Sequence, residues 1–80
     1  MPMAYVLLNT EIGAEREVLK KLRATDEVQE AFNLLGVYDI IARVKTDTPE
    51  KLTQVINEKL ETGKIHSKLA IIVSENPNQQ

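Results

Sequence analysis

The chain has 80 residues, Lys+Arg 10 against Asp+Glu 12, a formal net charge of −2 and no cysteine. A domain of this length buries only about 60% of the surface its unfolded chain exposes, and without cysteine it has no disulfide, thiolate metal site or Cys nucleophile. One histidine, His66, cannot build a His-rich metal site, so a partner subunit is the expected supplement to the small core.

Hydrophobic residues at 42% and charged residues at 28% make an ordinary globular mixture. No apolar run approaches the roughly 18 residues of a membrane span, and Met1-Pro2-Met3-Ala4 lacks the basic start of a signal peptide. The acidic balance disfavours nucleic-acid binding through bulk charge. These features predict one cytoplasmic domain over residues 1–80, with no membrane association and no direct nucleic-acid binding.

Residues 3–9 form an apolar run of strand length, with Ala4, Val6 and Leu8 on one face and Tyr5 and Leu7 on the other. A strand apolar on both faces needs a cover on each side. Gly13 stands where a helix N-cap is expected. Glu15 and Glu17 follow in the first turn, and Lys20, Lys21 and Arg23 come toward the C-terminus, a distribution that suits the helix dipole. With Val18, Leu19 and Leu22 as its apolar stripe and Glu17–Lys21 as an i, i+4 pair, the first helix is predicted over 14–24.

From Val28 to Leu35 the chain alternates, Val28, Glu30, Phe32 and Leu34 against Gln29, Ala31, Asn33 and Leu35. Gly36-Val37 interrupts it and residues 38–45 resume a strand, which predicts a β-hairpin. Thr48, Pro49 and Glu50 read as N-cap, N1 and first turn of a second helix. Leu52, Val55, Ile56 and Leu60 are its buried stripe, and Gly63 suits a left-handed C-cap. A last strand is predicted over 65–74 and a flexible tail over about 75–80.

The order β-α-β-β-α-β with right-handed crossovers predicts an α+β, ferredoxin-like fold: a four-stranded antiparallel sheet with two helices on one face. The other face would then expose alternating apolar residues, a pattern that marks an interface. Two sheets are therefore expected to meet face to face, as in a dimeric α+β barrel.

Catalytic signals are sparse. His66 has no evident partner, Ser67 beside it lacks a nucleophile-elbow context, and no phosphate-binding loop, dinucleotide fingerprint or zinc-ligand spacing occurs. No catalytic residue, metal or cofactor is expected. The exception is Leu35-Gly36-Val37-Tyr38-Asp39-Ile40-Ile41, where an acid follows a glycine turn and opens an apolar strand. Two roles stay open for Asp39: receiving a ligand ammonium beside accessible backbone groups, or accepting hydrogen bonds within its own turn.

On Ala4-Tyr5-Val6-Leu7-Leu8, Val28 to Phe32, the hairpin motif Gly36-Val37-Tyr38-Asp39-Ile40-Ile41 and Leu52 to Ile56, the chain resembles the effector-binding (RAM) domain of the leucine-responsive regulator/AsnC family. The resemblance covers about residues 3–74. It implies sheets paired into dimers, dimers assembled into octameric or similar rings, and amino-acid ligands in clefts lined by Gly36, Val37, Tyr38 and Asp39. The family's Thr-x-Thr pattern in the last strand aligns with Lys68-Leu69-Ala70, with Ser67 just before, so its hydroxyls are missing or displaced here, and Lys68, if turned inward, favours a carboxylate near the cleft. Full-length members carry an N-terminal helix-turn-helix domain. This chain opens on the first strand and is read as a stand-alone member that modulates transcription by co-assembly with full-length regulators. A cofactor-independent monooxygenase of the same architecture is the enzymatic alternative, with His66 and Asp39 as its only candidates. A small RNA-binding domain is opposed by the charge and the missing strand aromatics.

Overall fold

The computed structural model describes residues 1–73; the tail expected over 75–80 lies outside them. The opening apolar run becomes β1 (Met3–Thr10), a central strand. It is followed by α1 (Glu15–Arg23), β2 (Val28–Asn33), β3 (Ile40–Lys45), α2 (Pro49–Gln54), which continues into a π-helical turn Val55–Lys59, and β4 (Ile65–Val73). The strands lie in the order β2-β3-β1-β4 with every neighbouring pair antiparallel, the ferredoxin-like arrangement that the element order implies. Among the described residues no helix is long and apolar enough to cross a membrane.

Both helices cover one sheet face. Ala4, Val6 and Leu8 of β1 and Ile40, Ala42 and Val44 of β3 meet Val18, Leu19 and Leu22 of α1 and Leu52, Val55, Ile56 and Leu60 of the second helical segment. Each large aliphatic side chain so buried stabilises the fold by roughly 1.5–3 kcal/mol over an exposed one. Thr48 caps α2 as its spacing suggests, its hydroxyl accepting the N–H of Lys51 at 3.1 Å, with Pro49 in the first turn. The π turn is closed by the Leu60 N–H on the Val55 carbonyl at 3.1 Å.

Several local readings change. Ala14, not Gly13, precedes α1 and its side chain makes no cap. Gly13 sits one residue earlier with φ of 85°, turning the chain out of β1. Glu17 and Lys21 form no ion pair, whereas Arg23 leaves the helix end and grips the Ala31 carbonyl through Nε (3.1 Å) and Nη2 (2.7 Å). β2 is shorter than its alternation suggests, and its register on β3 shifts between Val28 and Glu30. The extra residue reverses the facing pattern: Val28 and Ala31 are buried together, while Phe32 is 52% exposed on the other face. β3 begins at Ile40, leaving Tyr38 and Asp39 in the connection. Gly63 has no left-handed conformation. The second helix instead leads into a turn in which the Thr62 hydroxyl accepts the Lys64 N–H at 3.0 Å.

Candidate functional site

The connection 34–39 is closed at its base by the Leu34 N–H on the Asp39 carbonyl at 2.7 Å. Gly36 carries φ of 152°, in the region that favours glycine, and no heavy atom lies near the position a side chain would take. The conformation of the tip, rather than lack of room, therefore calls for glycine. Asp39 fastens this hairpin to the end of β1. Its N–H donates to the Leu8 carbonyl at 2.9 Å, and its Oδ2 accepts the Thr10 N–H at 2.9 Å and the Thr10 hydroxyl at 3.5 Å. The role of Asp39 within its own neighbourhood is thus filled by one carboxylate oxygen, and the partner is Thr10 across the sheet rather than the turn itself. A carboxylate has a second oxygen and further lone pairs.

Above this fixed base Leu35 and Val37 are fully exposed and Tyr38 is half-buried. Two other loops end at the same edge: the Glu11 N–H donates to the Lys64 carbonyl at 2.8 Å, which joins the β1–α1 loop to the 62–65 turn. Ile12, at the tip of that loop, is 99% exposed. Sequence reasoning passed over Ile12 and Thr10. An isoleucine isolated between Glu11 and Gly13 was the available signal for the first, and nothing local marks the second.

Ser67 and Lys68 point to opposite faces of β4. Ser67 pairs with Asn9 on the open face, its Oγ accepting from Asn9 Nδ2 at 3.3 Å, with β1 between it and the hairpin. Lys68 lies on the helix side. Its Nζ donates to the Ile56 carbonyl at 2.8 Å and pairs with Glu61 at 3.2 Å, so the ammonium is held at the π turn and is not brought to Asp39. The structure brings Gly36, Val37, Tyr38 and Asp39 together, sets Ser67 one strand away, and keeps Lys68 apart. His66 is exposed. No group of three or more metal-ligating side chains gathers among the described residues.

The uncovered sheet face has its own order. Strand registers place Phe32, Ile41, Leu7 and Leu69 in one apolar row across all four strands, and Glu30, Arg43, Tyr5 and Ile71 in the next. Phe32, Leu69 and Ile71 are about half exposed, and Tyr5 is at the border of exposure.

The family model for the Lrp/AsnC ligand binding domain matches residues 3–79. Among solved structures, the chain is 41% identical to FFRP-DM1 with a TM-score of 0.90, covering 92% of this chain and 100% of that one. It is 39% identical to the hypothetical protein PHS023 of Pyrococcus horikoshii with a TM-score of 0.88, covering 100% and 99%. Against AsnC of E. coli the identity is 27% and the TM-score 0.85, over 99% of this chain but 54% of AsnC, so the chain spans about half of that regulator. A comparison with curated protein sequences gives no match.

Proposed function

Because the chain belongs to the Lrp/AsnC ligand-binding domain family, we propose that it is a non-enzymatic effector-binding and oligomerisation module whose effector is a free amino acid or a similar small zwitterion. The observation that carries this reading is the anchored hairpin: a rigid base at Asp39 beneath an exposed apolar tip at Leu35 and Val37. One chain builds only half of such a site, and a neighbouring protomer supplies the other wall. Asp39, with Oδ2 committed to Thr10, offers its remaining oxygen to the ligand ammonium. Backbone groups around Gly36, Val37 and Tyr38 meet the rest of the zwitterion, with Ser67 at the margin.

The apolar rows of the open sheet face pair with those of a second copy, which covers what the helices leave bare. The module acts on transcription by joining full-length regulators of its family through the same surfaces. A ligand shifts such an equilibrium only by binding one assembly more tightly than another.

Native mass spectrometry of the full chain, with and without each of the common amino acids, tests assembly and ligand together. A dimer or larger ring is expected, with one amino acid retained per site or changing the ring population. If calorimetry detects no amino acid binding at millimolar concentration, the sensing role fails and only assembly remains.

A further inference from the structure

Among the described residues, one ion pair stands within the apolar open face. Arg43 Nε donates to Glu30 Oε2 at 2.9 Å, and Arg43 Nη1 reaches Met3 Sδ at 3.9 Å. The pair bridges an edge and an inner strand: Glu30 lies on β2, at the border of the sheet, and Arg43 on β3, opposite Tyr5 of the neighbouring inner strand β1. A guanidinium has five N–H donors, and among the described residues two are engaged here. Among the described residues Glu30 Oε1 accepts no hydrogen bond. At 33% and 45% side-chain exposure, Arg43 and Glu30 are hydrated through the open side of the face.

Any partner that covers this face removes that water. A wholly apolar surface would leave three donors and a carboxylate oxygen unmet, which is costly in a desolvated contact. A two-fold dimer lays a patch on its own copy, so the patch must be complementary to itself. Where the two-fold axis passes beside it, a patch holding one cation and one anion meets that condition. The geometry points to Arg43 and Glu30 as the specificity determinant of self-pairing: each guanidinium takes the partner copy's Glu30 carboxylate, and the two ion pairs close into a four-charge network across the interface. This rests on the face-to-face pairing given under Proposed function and names the residues that select a second copy of this chain as its occupant.

Charge reversal separates the two ideas. Arg43→Glu makes the pair wholly acidic and Glu30→Arg makes it wholly basic. Both positions are on the surface, and circular dichroism with thermal unfolding checks that each variant folds. Sedimentation of each variant alone is expected to show self-association weakened about tenfold or more by like charges facing one another. A 1:1 mixture is expected to restore association near the wild-type level, with native mass spectrometry showing dimers of one acidic and one basic copy. Variants that self-associate as tightly as the wild type, or a mixture no tighter than its components, would overturn the network while leaving face-to-face pairing in place. A folded wild type that stays monomeric at micromolar concentration removes the pairing itself.

Discussion

Asp39 and Thr10 are joined twice, the threonine N–H and hydroxyl both donating to Oδ2 at 2.9 and 3.5 Å. Thr10 is 8% exposed, so its N–H has little access to water if the carboxylate is removed. Asp39→Ala is therefore expected to cost about 1–3 kcal/mol of stability by leaving a buried donor unpaired. Asp39→Asn keeps an acceptor oxygen and should cost less than half of that. The proposed ligand role responds differently, because Asn lacks the charge that holds an ammonium: amino-acid affinity falls roughly ten- to hundredfold. Denaturant titration and calorimetry of the two variants separate anchoring from binding.

Gly36 and Gly63 make a matched comparison. Neither has a heavy atom near the site of an added Cβ, but only Gly36 has a positive φ. Gly36→Ala is expected to destabilise by roughly 1–2 kcal/mol through backbone strain alone. Gly63→Ala should be neutral or stabilise by up to about 1 kcal/mol, since alanine restricts the unfolded chain. Midpoints of urea unfolding read both.

Lys68→Met retains most of the side-chain stem and loses the ammonium that binds the Ile56 carbonyl and Glu61. A stability loss of about 1–2 kcal/mol is expected. Amino-acid affinity should be unchanged, because the charge sits on the helix side of β4. A fall in affinity at unchanged stability would return Lys68 to the ligand site.

Leu7 lies in the all-apolar row of the open face. Leu7→Glu is expected to abolish face-to-face pairing and leave a folded monomer, read by sedimentation alongside circular dichroism.

Glu27 accepts both bonds of the Lys59 ammonium at 3.1 Å, and this contact holds its carboxyl below the usual glutamate range. A depressed folded-state pKa contributes stability above the unfolded value and loses it as pH falls through the folded value. Lys59 is half exposed, so the contribution is small. The stability difference between wild type and Lys59→Met is expected to be constant near neutral pH and to vanish on the acid side of the ordinary glutamate range. Unfolding midpoints across that range check the sign.

Long periodic signals were legible in the sequence. The stripe Leu52, Val55, Ile56 and Leu60, the Thr48-Pro49 start and the apolar β1 all depend on spacing alone, and together they dictate the βαββαβ order. The facing of β2 was not legible, because one bulged residue at Gln29 reverses the pattern and no single-residue preference announces a bulge. The hairpin could be located from Gly36 and Asp39. The Asp39–Thr10 bond could not, since it joins residues 29 positions apart and neither has a distinctive neighbour. The contacts of Lys68 were not legible for a related reason. Alternation assigns it a face, but its contact is a carbonyl presented by the π turn, and the apolar spacing of 52–60 does not distinguish that turn from an ordinary helix.

The grip of Arg23 on the Ala31 carbonyl gives the sheet two unlike borders. On the β2 side a side chain already occupies a backbone acceptor, and β2 is six residues long with a bulge. On the other side β4 runs nine residues, Leu69 and Ile71 half exposed on one face and Ile72 60% exposed on the other. Natural sheets blunt their edges against strand addition with bulges, short strands and charge. β2 has all three, with Glu30 as its charge, whereas the register shift of β4 lies at its very start and its Lys68 is tethered to the Ile56 carbonyl and Glu61. When the chain is concentrated or heated without its assembly, aggregation is expected to begin along β4, and a charge introduced at Ile72 should delay it.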